Sequence, residues 1–228
     1  MSKFDVKQGD LTVEARYEAP AFALLRPEGQ RLVETVVTQL APYGASVDTV
    51  FYSTEGALGA RNVTINAPGI NAGVKIFVAR AEAGFNDLKR ARFADIETIA
   101  RILFESIEKA APDVRFSIYS VSLNYHGLVE RMAVADFIKQ YVGNAPNLGP
   151  LHSTAAGFYY AKKGARNWLS IVMDASLSVP DALFMRISAL FDGKRISHAQ
   201  LPGAGAAMLA EVLAGFKLEH ELDLGQKR

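Results

Sequence analysis

The sequence predicts an α+β fold of two tandem pseudo-repeats, each running strand, helix, three strands, helix, with the helices packed on an antiparallel sheet. Three observations predict it. Apolar and polar residues alternate along several short segments, as a strand with one buried face requires. Between them lie stretches whose apolar residues fall at helical spacing. The tetrapeptide Gly59-Ala60-Arg61-Asn62 returns as Gly164-Ala165-Arg166-Asn167, each time entering a predicted strand. The halves divide at residues 1–112 and 113–228 and are expected to form one compact unit.

In the first half, residues 11–19 alternate and read as a strand. Pro27 opens a helix over 28–40, with Leu32, Val33, Val36, Val37 and Leu40 on one side, and Pro42 to Gly44 ends it. Three strands follow at 47–53, 62–66 and 73–85, separated by turns rich in Gly or Pro. A second helix over 92–110 carries a broad apolar stripe from Phe93 to Ile107 and should lie on the sheet; Pro112 stops it.

The plan then repeats. Residues 115–125 alternate, with Tyr119, Val121, Leu123 and Tyr125 on one face. A short helix at 132–142, strands at 152–161, 167–174 and 182–191, and a helix at 203–216 complete the second half. One period after the shared tetrapeptide, Val78-Ala79-Arg80 through Phe85-Asn86 matches Phe184-Met185-Arg186 through Phe191-Asp192 in its Arg, Ala and Phe. Phe77, Phe85, Phe93, Phe104, Phe116, Phe184, Phe191, Phe216 and Trp168 read as core.

The segment Tyr119-Ser120-Val121-Ser122-Leu123-Asn124-Tyr125-His126-Gly127 follows a long helix and a Pro-containing break. It resembles a family of bacterial proteins of similar length, without established activity, that carry a mid-chain strand of the type Leu-x-Tyr-x-Asn after a long helix. In this chain the Asn precedes the Tyr. The resemblance implies an architecture and no chemistry.

The bulk numbers narrow the function classes. Lys and Arg number 25 and Asp and Glu 24 in 228 residues, a formal charge of +1, so no long-range field steers the chain to nucleic acid or anionic lipid. With no cysteine, disulfides, thiolate catalysis and Cys-ligated metals are excluded. Residues 1–10 contain no apolar run, and no window holds the ~18 apolar residues of a membrane span. The expected compartment is the cytoplasm, with no membrane partner.

Catalytic patterns are missing. His126, His152, His198 and His220 form no zinc spacing, no serine sits in Gly-x-Ser-x-Gly, and Gly203-Ala204-Gly205 lacks the rest of a phosphate loop. It reads instead as a helix start with a close packing contact. No catalytic residue, metal or cofactor is therefore assigned, and the sequence points away from an enzyme. His220, between two glutamates, reads as part of a solvated tail.

Three functions remain in order. The first is a non-enzymatic binding or interaction protein that meets a protein partner, or a second copy of itself, through a sheet edge or a groove between the halves. Its candidate residues are Arg61, Asn62, Asn124, Tyr125, His126, Glu130, Arg166, Asn167 and Trp168. The second is a small-molecule site, or an enzyme, in the cleft between the halves, where Arg61-Asn62 and Arg166-Asn167 would converge on an anionic ligand. The third and least favoured is single-stranded nucleic acid, held by Lys162, Lys163 and Arg166 with Tyr159, Tyr160 and Trp168 for stacking.

Overall fold

A computed structural model of the chain describes residues 2–25, 27–89, 91–142 and 155–222. Its order begins β1 (Ser2–Tyr17), α1 (Pro27–Leu40), β2 (Val50–Ser53), β3 (Asn62–Ala67), β4 (Ala72–Phe77), β5 (Arg80–Phe85) and α2 (Phe93–Ala110). It continues with β6 (Phe116–Val129), α3 (Val134–Lys139), β7 (Ala156–Tyr160), β8 (Arg166–Ala175), β9 (Leu183–Asp192), α4 (Leu201–Gly215) and the two-residue β10 (Leu218–Glu219). The fold is α+β, and the strands form one open sheet in the order β2-β3-β4-β5-β1-β6-β9-β8-β7. Every neighbour along that path is antiparallel, while β10 adds a short parallel pairing at Ser2 and Lys3 of β1. Among the described residues no helix is long and apolar enough to cross a membrane.

The sheet buries one face. Along β1 the buried positions include Leu11, Val13, Ala15 and Tyr17, and along β6 Tyr119, Val121, Leu123, Tyr125 and Val129, as period-2 alternation demands. The helices pack on that face. α2 buries Ile96, Ile99, Leu103, Phe104 and Ile107, and Asp95 caps its start by accepting the Arg92 backbone N–H at 3.1 Å. α4 crosses the middle of the sheet, where Gly205 sits over Val121: a Cβ there would lie 3.5 Å from Val121 Cγ2, an ordinary contact distance. The close packing expected of the Gly203–Gly205 stretch does not depend on its glycines: nothing lies within 4 Å of a Cβ at Gly203, and Gly205 has room for one. Among the described residues the opposite face carries no helix. Its side chains pair with one another, as in Arg80 Nε to Glu82 at 2.7 Å and Glu14 at 3.4 Å, and Ser122 Oγ to Ser188 Oγ at 3.0 Å.

Several boundaries differ from the sequence reading. β1 starts at Ser2 because a register shift between Val6 and Gln8 flips the parity of the alternation, hiding the buried Phe4 and Val6 from a period-2 pattern. The single strand expected over 73–85 is a hairpin, so the first half has four strands after its helix, not three. Its turn at Val78-Ala79 has no Gly, Pro or Asn; the end of β1 holds it instead, through Tyr17 N–H to Ala79 O at 3.0 Å and Ala21 N–H to Val78 O at 2.7 Å. Residues 47–49 make a 3-10 turn closed by Ser46 and Thr49 rather than the start of a strand. The helix expected over 132–142 spans only Val134–Lys139. His152 lies outside the described residues.

Candidate functional site

The residues singled out from sequence fall in three places. Arg61 is exposed at the end of the 3-10 turn Leu58–Ala60, and Asn62 opens β3. Asn62 serves the local turn: its Nδ2 donates to Ala60 O at 3.1 Å and its Oδ1 accepts from Thr64 Oγ1 at 3.0 Å. Both line an apolar groove of about 320 Å³ beside β2, with Leu24, Tyr52 and Leu58. A larger part of the same surface, about 780 Å³, runs between α1 and β2 and is lined by Val33, Val37, Val50, Tyr52 and Val63. Around it Val47, Tyr52 and Leu58 are exposed.

The Asn124-Tyr125-His126 cluster divides between the two faces, as consecutive strand residues must. Asn124 lies on the bare face, where Nδ2 donates to Asp10 Oδ2 at 2.6 Å and Oδ1 accepts from Arg186 Nε at 3.0 Å. His126 is also there, with Nδ1 2.8 Å from Ser176 Oγ and its ring 5.0 Å from Phe184. Ser176 Oγ meanwhile accepts the Val179 backbone N–H at 3.0 Å, so this contact closes the β8–β9 turn rather than arming a nucleophile. Phe184, expected in the core, is half-buried on the bare face. Glu130 lies beyond β6 and pairs on the surface with Arg131 at 3.3 Å.

Tyr125 points the other way, into the core, and is fully buried. Its hydroxyl is 3.2 Å from His220 Nε2. His220 is thus packed, not part of a solvated tail, and burial holds its pKa below the usual histidine value. The fold therefore favours neutral imidazole, and the unfolded chain takes up the proton first as pH falls. The stability that follows is present above pH ~6.5 and drains away as pH drops toward the folded pKa. The urea midpoint of the protein is expected to fall between about pH 7.5 and pH 5, and the His220→Gln variant should lose that part of the slope. An unchanged slope would refute the assignment.

The third place is the β7–β8 hairpin. Lys163 and Arg166 exchange backbone hydrogen bonds at 2.8 and 3.1 Å across a two-residue turn in which Gly164 has φ +61°. Glu211 of α4 accepts from both, Lys163 Nζ at 2.8 Å and Arg166 Nη1 at 3.2 Å, and the Lys163 hydrogen bond foremost holds its carboxyl below the usual range. Asn167 is exposed. Trp168, expected in the core, lies half-buried on the bare face beside Tyr159, ring centroids 6.2 Å apart.

Two expected convergences are not formed. Arg61, just before β3, and Arg166, at the start of β8, have five strands between them, roughly 30 Å at the usual strand spacing. Lys163 and Arg166 turn toward the helices while Tyr159 and Trp168 face the other way, so of the three stacking rings only Tyr160 shares a groove with Arg166. Sequence reading missed Glu211, Phe51 and Tyr52. The adjacent aromatics 51–52 on a short segment were the available signal for the last two, whereas nothing local marks Glu211. Among the described residues no three His, Asp or Glu side chains gather as a metal site. No protein-family model matches the chain, and neither does any curated protein.

Proposed function

We propose that the chain is a non-enzymatic protein-binding module whose partner adds an extended segment to the edge of β2. The observation that carries this reading is the state of that strand. Among the described residues β2 pairs with β3 alone, at the end of the sheet, and its Phe51 and Tyr52 are 55% and 63% exposed. Sheet edges are normally blunted by shortness, lysine, proline or a bulge; Val-Phe-Tyr-Ser has no lysine, proline or bulge, and only its length of 4 residues limits it. Strand addition draws affinity from main-chain hydrogen bonds and specificity from pockets for alternate side chains. The groove beneath α1 is such a pocket, and Arg61 stands at its rim. β7, at the other end, runs into Lys162 and Lys163, charges of the kind that guard an edge.

A tandem origin for the two halves fits this reading. β1 and β6 pair at the middle of the sheet, each flanked outward by the last long strand of its own half, β5 or β9. Arg80 and Phe85 face Arg16 and Leu11, while Arg186 and Phe191 face Asn124 and Tyr119. Superposing those registers makes Val13 and Val121 equivalents, and these two residues are each other's partners in the central pair. The repeated tetrapeptides do not share this equivalence, because Arg61 precedes a strand one position farther from the centre than the strand Arg166 opens. β2 is then the strand the first half has and the second lacks. The resemblance around residues 119–127 bears on architecture alone.

The test is purification of the native protein at modest salt, with mass spectrometry of what co-elutes, beside a Phe51→Lys/Tyr52→Lys variant. A stoichiometric partner lost from the variant, with the circular dichroism spectrum unchanged, is the expected result. A partner retained by the variant, or no partner, would reject strand addition. A homo-oligomer broken by the same substitutions would make a second copy the occupant.

A further inference from the structure

Arg166 is a charged side chain in an unusual place. The register shifts between Arg166, opposite Phe191, and Trp168, opposite Leu190, leaving Asn167 as an extra residue. Without that bulge Arg166 would share the bare face with Trp168 and stand in water. With it, the guanidinium turns to the helix side, where Arg166 is 7% exposed. A buried guanidinium is costly unless its donors are met. Nη1 reaches Glu211, but Nε is buried with no hydrogen-bond partner.

Arg166 also lines a cavity of about 350 Å³ walled by Phe158, Tyr160, Leu169, Ile171 and Phe216. The Tyr141 hydroxyl beside it is already spent on Phe216 O at 2.9 Å. Apart from Glu211, which also lines the cavity and is held by Lys163 and Arg166, the walls are apolar and aromatic, the volume is that of a small-ligand pocket, and the unmet donor belongs to a cation. Lys163 and Arg166 share the single carboxylate of Glu211, which leaves one positive charge locally. A monoanion balances it, whereas a dianion would be repelled by Glu211. A carboxylate has the planar geometry that a guanidinium edge accepts.

We propose that this cavity binds a small monocarboxylic acid with an apolar body, its body against the aromatic wall and its carboxylate drawing the Arg166 guanidinium out of that wall, so that Nε, shut in without a partner here, gains one. The site is independent of strand addition at β2, which lies at the far end of the sheet, so either reading can fail alone. The probes are benzoate, phenylacetate, phenylbutyrate, hexanoate and octanoate, each beside its neutral amide, titrated calorimetrically into the full chain. At least one acid is expected to bind at least about tenfold tighter than its amide, the worth of a charge-assisted hydrogen bond. The Arg166→Met variant, which keeps the bulk and leaves Glu211 paired to Lys163, should bind acid and amide alike. On the unmodified protein, the Arg166 Nε–H resonance should shift with the acid and not with the amide, a readout that does not depend on the variant folding. Equal binding of acid and amide, an unmoved resonance under a bound acid, or no acid binding up to about 5 mM would each overturn the proposal.

Discussion

Replacing Phe104 by alanine should cost about 3–5 kcal/mol, a large part of the roughly 5–15 kcal/mol that holds a domain folded. Phe104 is fully buried on the inner side of α2. Its ring meets Phe116 at 5.5 Å and Tyr119 at 6.1 Å, both edge-to-face, and His198 at 6.2 Å. Alanine would remove the ring's apolar burial and these oriented contacts together, and would leave a void between rigid neighbours. Urea denaturation followed by circular dichroism measures the loss. Phe104→Leu, which refills most of the volume, should cost clearly less. An alanine cost below about 1 kcal/mol would mean that α2 collapses onto the sheet and that the aromatic cluster does not anchor it.

Gly193→Ala is the second large effect, and it acts by crowding. Gly193 follows β9 and continues its ladder by donating to Ser117 O at 2.9 Å. A Cβ at this position would fall 2.4 Å from Phe116 O and 2.8 Å from Ser117 O. Both are backbone atoms of β6, so no side chain can swing aside and the pairing itself must open. The expected cost is about 1–3 kcal/mol, which for a chain of this size lowers the melting temperature by roughly 2–10 °C. Gly203→Ala is the matched control. Nothing lies within 4 Å of its Cβ in the first turn of α4, and alanine there should be neutral or mildly stabilising. Equal behaviour of the two variants would refute the steric account.

The elements with strong periodicity were legible in the sequence, because there one face alone is buried. β6 alternates over almost its whole length, and α1 and α2 appear within two residues of their expected ends. What local pattern could not reveal was set by distant partners. The Val78-Ala79 turn is held by Tyr17 and Ala21, and the burial of His220 comes from Tyr125. Bulges defeat parity in the same way: the one in β1 hid Phe4, and the one in β8 turned Arg166 inward. The site suffers more than the fold from this. A run such as Asn124-Tyr125-His126 looks like one cluster in a line of text, yet a strand sends its middle member to the far side. Glu211 meets Lys163 and Arg166 from a helix 45 or more residues away, beyond any local window.

The central pairing of β1 with β6 also sets the order of events as the chain is made. β1 emerges first, but its partner residues lie more than a hundred positions later, as the Asp10–Asn124 contact illustrates. Until β6 leaves the ribosome, one side of a strand sixteen residues long has no hydrogen-bond partner. At ~5–20 residues per second that interval lasts several seconds. Pairings this remote are also slow to close, because a long loop must be fixed before any contact rewards it. Expression yield should therefore be governed by how well the nascent first half is shielded, and lower growth temperature or added chaperone should raise it more than stabilising the finished fold does.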